Sequence, residues 1–112
     1  LMRRNYAKFS SRGNELDAIA PGIDIYSTFL NNSYAKMSGT SQACPFISGL
    51  CALILSHSRN NPNVPQINNY KDMFRALSKI NQMSKNSNVT DVKGDKWCYG
   101  LPKADNINWD NL

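Results

Sequence analysis

The chain has 112 residues, of which 41% are hydrophobic and 19% charged, a balance typical of one small globular domain. Thirteen Lys and Arg against eight Asp and Glu give a formal net charge of +5. The basic residues are scattered and are not interleaved with aromatics, so the sequence predicts no nucleic-acid site. The longest apolar run, residues 46–55, falls short of the roughly 20 residues that a bilayer span needs, and we predict no membrane helix.

The first 40 residues are predicted to form short strands joined by turns. Residues 16–20 are the first candidate strand, and Pro21-Gly22 marks the turn that follows. Residues 23–28 have the β-branched and aromatic composition of a second strand. A further turn is expected at 31–33, followed by an extended piece at 34–37.

Two helices are predicted in the second half of the chain. Residues 41–56 are apolar nearly all round, which indicates a helix buried on every side, with polar residues ending it. An amphipathic helix is expected at about 69–80, capped by Asn68 or Asn69. Residues 81–96 are polar and predicted to be a surface loop, and the apolar tail 97–104 is expected to pack against the rest.

The three cysteines predict neither a metal site nor a disulfide framework. Cys44, Cys51 and Cys98 lack metal-ligand spacing and do not form an even set. Cys44 and Cys51 are seven residues apart on the predicted helix, about 10.5 Å, which is beyond disulfide reach. Zinc with His57 as a further ligand would lack the second pair of closely spaced ligands. We therefore expect buried thiols that act as small hydrophobes.

The stretch that leads into the first helix contains the candidate catalytic residues. Thr40 and Ser41 stand at the expected helix N-terminus, where free N–H groups and the positive dipole end favour developing negative charge. Gly39 permits a close backbone approach just before them. A serine in this place can be a nucleophile whose own N–H donates to an oxyanion. For the stretch taken alone, a plain N-cap by Thr40 or Ser41 is the favoured interpretation, because Ser and Thr caps are common.

Segments spread over most of the chain match, in order and spacing, the motifs of one protein family. They are 9–13 (FSSRG), 16–22 (LDAIAPG), 25–28 (IYST), 38–45 (SGTSQACP) and 99–104 (YGLPKA). Together they resemble the C-terminal part of subtilisin-like serine proteases, the subtilase family. The segment 38–45 is similar to that family's nucleophile signature S/N-G-T-S-M-A-x-P. Gln42 departs from it, standing where the family usually has Met, and Lys103 replaces an Asn or Asp in the closing motif.

The resemblance implies an α/β fold: a three-layer architecture with a mostly parallel sheet, of which this chain holds only the last strands and helices. Residues 1–112 would then be the C-terminal portion of a catalytic domain. The triad order in this family is Asp, His, Ser, so the Asp and the His would lie upstream, with an Asn oxyanion donor.

The same resemblance assigns roles to individual residues. Ser41 is the implied nucleophile, and Thr40 and Gly39 support it and its oxyanion site. Phe9 and Ser38 match positions that border the substrate cleft. His57 lies 16 residues beyond Ser41, about 24 Å along one helix, so it cannot be the base. It is expected near the helix C-terminus, favourably placed against the dipole when charged.

We therefore predict a serine endopeptidase that hydrolyses polypeptides through an acyl-enzyme on Ser41. Its partner would be the upstream half of its own domain, and this chain alone is predicted to be inactive. The alternative is a catalytically inactive subtilase-like remnant with a structural or assembly role, whereas a Cys44-based hydrolase lacks an assignable base.

The resemblance also bears on ligands and location. We predict no cofactor or metal within the chain; calcium is possible in the full domain, but no acidic cluster here supplies its oxygen ligands. The free thiols favour a reducing compartment, and the resemblance favours the secretory pathway.

Overall fold

The computed structural model describes residues 7–11, 16–83, 104–105 and 107–112. Within these ranges the chain forms a hairpin, two helices and a final 3-10 turn, which are β1 (Ile25–Phe29), β2 (Ser33–Met37), α1 (Thr40–Asn60), α2 (Tyr70–Met83) and Trp109–Asn111. Several predictions lie outside the described residues: the loop beyond 83, residues 12–13 of the segment 9–13, residues 97–103 of the tail, and with them Cys98 and Lys103. None of the helices in the described part of the chain has the length and apolar character of a membrane span.

The hairpin confirms the predicted turn and the strands on either side of it. β1 and β2 run antiparallel, with Ile25 opposite Met37 and Phe29 opposite Ser33. At the tip, Asn31 and Asn32 have φ angles of 57° and 54°. Asparagine is one of the few residues that enter this left-handed region readily, so the Asn-Asn pair explains the reversal.

The predicted strand at 16–20 is wrong. These residues have no regular secondary structure. A strand requires a neighbour that accepts and donates its backbone hydrogen bonds, and within the described residues β1 and β2 pair only with each other. The local sequence is suited to a strand, but the described chain supplies no partner.

Helix α1 runs four residues further than predicted, to Asn60. Polar side chains do not by themselves end a helix, and those of Ser58 and Asn60 bond back to carbonyls of the preceding turn, at 3.2 and 2.9 Å. The helix ends because Pro62 follows Asn61, and a residue before proline is driven out of the helical region. Asn61 accordingly has φ −132° and ψ 101°.

The expectation that α1 is buried on every side is wrong for the described residues. One stripe is buried, formed by Leu50, Ile54 and Ser58 at four-residue spacing. Phe46 continues this spacing one step towards the N-terminus, Leu53 lies off it, and the two side chains are 47% and 53% exposed. The described elements that pack on α1 cover one side of it, and the other apolar faces are left open.

Helix α2 begins where predicted and extends three residues further, to Met83. Asn69 caps it, because the Asp72 N–H donates to the Asn69 side-chain oxygen at 3.0 Å. The Asp72 carboxylate in turn accepts from the Asn68 N–H at 3.0 Å. The apolar face of α2 meets that of α1 in a small core of buried residues: Leu50, Ile54, Ala76, Ile80 and Leu112. Of the predicted apolar tail, Ala104 packs on this core.

Candidate active site

The turn between β2 and α1 lies against the segment that precedes β1. The Gly39 N–H donates to the Gly22 carbonyl at 2.7 Å. A Cβ on Gly22 would stand 2.8 Å from the Gly39 oxygen and 3.3 Å from the Ala43 Cβ, so glycine is required for this approach. The predicted turn at Pro21-Gly22 is wrong, since the chain bends at residues 23–24, but Gly22 helps to fix the point at which α1 begins.

A second contact ties the same two segments together. The Asp24 N–H donates to the Ser38 hydroxyl at 2.9 Å. Asp24 has a φ of 53°, in the left-handed region that non-glycine residues rarely occupy. Sequence reasoning missed Asp24, although an Asp just after a Pro-Gly pair is a residue type that tolerates this conformation. Ser38, predicted to border a substrate cleft, thus uses its oxygen to hold the base of the hairpin.

Ser41 lies at the N-terminus of α1, in its first turn. The N-cap is Gly39, without a side-chain cap bond, so the interpretation of Thr40 or Ser41 as a cap is wrong. The Gly39 carbonyl accepts from the Gln42 and Ala43 N–H groups, at 3.2 and 3.3 Å. Within the described residues, neither the hydroxyl nor the N–H of Ser41 has a hydrogen-bond partner, and the residue is exposed.

A hollow of about 420 Å³ opens beside Ser41, between the start of α1 and the hairpin. Gln42 lines it too, and the Gln42 side chain folds back so that its oxygen lies 2.7 Å from the position of a Cβ on Gly39. The remaining walls are mostly apolar: Ile25, Tyr26, Ser27, Thr28, Ala35, Met37, Pro45 and Phe46. Such a space suits a side chain of a bound polypeptide next to the reacting bond.

Phe9 is not part of this hollow. It lies in a short turn, closed by a 3.0 Å bond from the Ser10 N–H to the Ala7 carbonyl, and its side chain is 51% exposed. Among the predicted site residues, Ser41 lines the hollow, and Ser38, Gly39 and Thr40 directly precede it in the turn that leads into α1.

His57 lies in the last turn of α1, as predicted, at the end opposite to Ser41. Its ring packs against Trp109 with centroids 5.4 Å apart. Its Nε2 is buried and has no hydrogen-bond partner within the described residues. The helix is continuous from Ser41 to His57, so about 24 Å separates them, and His57 does not act on Ser41.

The two described cysteines differ from the expectation of buried thiols. Cys44 is exposed, because it lies on the first turns of α1, where no described element covers it; the prediction for this residue is wrong. Cys51 is partly buried, and its desolvation raises the pKa of the thiol. No group of three or more His, Cys, Asp or Glu side chains suited to a metal occurs in the part of the chain that the structure describes.

The model of the subtilase family matches residues 2–94, and the chain belongs to this family. Membership supports the α/β class that the resemblance implied, to which the described residues contribute two helices and a two-stranded antiparallel sheet. A thermophilic serine proteinase of Bacillus sp. (strain AK1) is 52% identical over 60 residues, which are 54% of this chain and 15% of that protein. Subtilisin DY of Bacillus licheniformis is 51% identical over 53 residues, 47% of this chain and 19% of the relative. Thermitase of Thermoactinomyces vulgaris is 42% identical over 60 residues, 54% and 22% of the two chains. The matched region thus spans between 15% and 22% of the length of these relatives.

Proposed function

We propose that this chain supplies the nucleophile of a serine endopeptidase. The observation that carries the proposal is Ser41, at the start of a 21-residue helix, whose hydroxyl and N–H have no hydrogen-bond partner among the described residues. The Ser41 oxygen attacks the carbonyl carbon of a peptide bond, and the Ser41 N–H donates to the oxygen that becomes negative. The positive end of the α1 dipole favours the same charge. The amine leaves with a proton, and water then hydrolyses the ester on Ser41.

The proposal requires a base that the described residues do not provide within reach of Ser41. A serine without a base is a weak nucleophile at neutral pH. We infer that a His, an orienting Asp and a second oxyanion donor come from the upstream half of the same catalytic domain. Residues 1–112 are its C-terminal portion in this proposal, and the chain alone is inactive.

The open faces of α1 support a missing partner of this kind. A second hollow, of about 530 Å³, runs beside the helix and is lined largely by apolar residues, among them Phe46, Leu50 and Leu53. In the proposed domain these faces are covered by the mostly parallel sheet and neighbouring helices of a three-layer fold. Burying them is strongly favourable, because each large apolar side chain contributes about 1.5–3 kcal/mol.

The substrate in this proposal is a polypeptide. Its side chain next to the scissile bond enters the hollow beside Ser41, and Ser38, which follows Met37 of the hollow's wall in the chain, borders the cleft. Phe9 borders the cleft further out. The reaction as proposed uses only side chains and backbone groups, and calcium, if the full domain holds it, has a structural role. A secretory location accords with the family.

The experiment uses the full-length protein that contains this chain. A fluorophosphonate probe is expected to label Ser41, identified by peptide mapping. Ser41→Ala is expected to abolish labelling and to reduce peptidase turnover by a factor on the order of 10⁶ without loss of fold. Ser48→Ala is the matched control, since Ser48 is exposed on the same helix.

Two results would contradict the proposal. A Ser41→Ala protein that keeps a tenth of the activity excludes Ser41 as the nucleophile. Alternatively, a folded wild-type protein that is neither labelled nor active identifies the chain as part of a non-catalytic structural module.

A further inference from the structure

We propose that Ser38 is a positioning residue for Ser41, acting through the backbone of Asp24. The inference rests on the proposed function of Ser41. It concerns how the turn before α1 is held, and therefore where the nucleophile stands relative to a bound substrate.

Three contacts join the segment before β1 to the segment after β2. The last rung of the hairpin pairs Ile25 with Met37. Beyond it, the Asp24 N–H donates to the Ser38 hydroxyl at 2.9 Å. The third contact is the 2.7 Å bond from the Gly39 N–H to the Gly22 carbonyl.

These contacts continue the antiparallel pairing past the end of the sheet. Asp24 stands opposite Ser38, and Gly22 stands opposite Gly39, so Ile23 is one extra residue on the first segment. An extra residue of this kind bends the strand that carries it and re-aims the neighbouring chain, as β-bulges do beside active sites. We call the segments 22–24 and 37–39, so joined, the bulge clamp.

Ser38 provides the only side chain among the bonds that hold the bulge clamp in the described residues. Its partner Asp24 has a φ of 53°, a conformation that persists only where the surroundings determine it. Removing the Ser38 hydroxyl leaves the Asp24 N–H without its acceptor and releases this constraint. The change is transmitted to Ser41 over two residues, because Gly39 both closes the clamp and accepts the first N–H groups of α1.

A small shift at this point has a large effect on rate. Attack requires the serine oxygen about 3–3.5 Å from the carbonyl carbon, and a misplacement of about 1 Å costs on the order of 10²-fold. Five of the ten residues that line the hollow beside Ser41 lie at paired strand positions outside the bulge clamp, so substrate binding is less sensitive to the turn than the rate is. Loss of the Ser38 hydroxyl therefore lowers kcat and leaves KM nearly unchanged.

The test compares variants of the full-length protein. Ser38→Ala removes the hydroxyl, and Ser38→Thr restores it. Ser33→Ala is the matched control, because Ser33 lies at the other end of β2 and its hydroxyl donates to the Leu30 carbonyl at 2.6 Å. The measurements are the acylation rate by a fluorophosphonate at saturation, kcat and KM on a peptide substrate, and the thermal midpoint.

Ser38→Ala is expected to lower the acylation rate and kcat by about 10- to 100-fold with KM within about twofold. Ser38→Thr recovers most of the rate, and Ser33→Ala retains it. Wild-type acylation in Ser38→Ala overturns the inference even if the thermal midpoint falls, since the hydroxyl is then merely stabilising.

Amide hydrogen exchange separates this inference from the proposed function. Exchange at Asp24 and Gly39 is expected to be faster in Ser38→Ala than in the wild type, whether or not the protein is a peptidase. Unchanged exchange at Gly39 overturns the bulge clamp. The wild type could fail to react with the fluorophosphonate while exchange at Gly39 is still faster in Ser38→Ala. That pair of results contradicts the proposed function and supports the bulge clamp.

Discussion

Gly22 has the tightest backbone contact in the described part of the site. Since an added Cβ would lie 2.8 Å from the Gly39 oxygen, Gly22→Ala forces one of the two segments to move. We expect the free energy of unfolding of the full-length protein to fall by about 1–3 kcal/mol, as overpacking does. Denaturant unfolding measures it.

Gly49→Ala is the control for that substitution. A Cβ on Gly49 meets nothing within 4 Å, and the residue lies inside α1. Alanine is preferred to glycine in a helix by about 1 kcal/mol, so this variant is expected to be as stable as the wild type or more so. Equal unfolding midpoints for the wild type and Gly22→Ala contradict the requirement for glycine.

Because residue 42 is Gln, we predict that the peptidase activity resists oxidation at the position after the nucleophile. The family usually has methionine here, whose sulfoxide is polar and bulkier, whereas glutamine has no sulfur. In a Cys44→Ser background of the full-length protein, peroxide is expected to spare most of the peptidase activity. Gln42→Met should become sensitive to the same treatment. Rapid inactivation of both proteins contradicts the prediction.

At the level of single residues, the sequence indicated a candidate nucleophile but not the contacts that hold the turn before it. Ser41 and Gly39 follow from a motif of adjacent residues, and local motifs are visible in one dimension. The bond between Asp24 and Ser38 joins residues 14 apart, and it depends on a left-handed backbone that many sequences avoid. Cys44 was predicted to be buried because it lies in an apolar run, but burial is decided by neighbours from elsewhere in the chain.

At the level of elements, the N-terminus of α2 allows the contributions of two adjacent asparagine side chains to stability to be compared. Asn69 accepts the Asp72 N–H with its side chain, whereas Asn68 contributes only its backbone N–H to the Asp72 carboxylate. Asn69→Ala is expected to lower the free energy of unfolding by about 1 kcal/mol. Asn68→Ala is expected to change it by less than about 0.5 kcal/mol. Denaturant titration of both variants in the full-length protein measures the difference, and equal losses contradict the assignment of the cap.

The positions of the two helices followed from the periodicity of their apolar residues, but the residues at which the helices end did not. The apolar spacing of α2 is local, so its start was predicted correctly. The end of α1 depended on Pro62 rather than on the polar residues before it. The segment 16–20 shows the opposite case, in which a strand-like composition lacks a partner among the described residues.

At the scale of the whole molecule, the buried core of the described residues is small compared with the apolar surface that they leave exposed. Exposed apolar residues of α1 include Phe46 and Leu53, and those of the hairpin include Tyr26, Phe29 and Met37. Leaving half of an apolar helix in water forfeits about 5–10 kcal/mol. That is comparable with the whole stability of a small domain.

The 112-residue chain expressed alone is therefore expected neither to fold cooperatively nor to hydrolyse peptides. Thermal unfolding and the dispersion of amide NMR signals measure the first, and a fluorogenic peptide measures the second. Co-expression with the upstream half of the domain should restore both. A sharp thermal transition with dispersed signals for the isolated monomer contradicts this prediction.

The tip of the hairpin offers a place to attach a reporter. Leu30 is 72% exposed, and Asn31 and Asn32 reverse the chain by their own backbone conformation. The paired residues of β1 and β2 separate this tip from Ser41, and lengthening a loop adds little entropic cost, about 0.6 kcal/mol for each doubling. A peptide tag or a fluorophore inserted between Asn31 and Asn32 should therefore leave the nucleophile in place, so that purification and imaging can use the active protein itself.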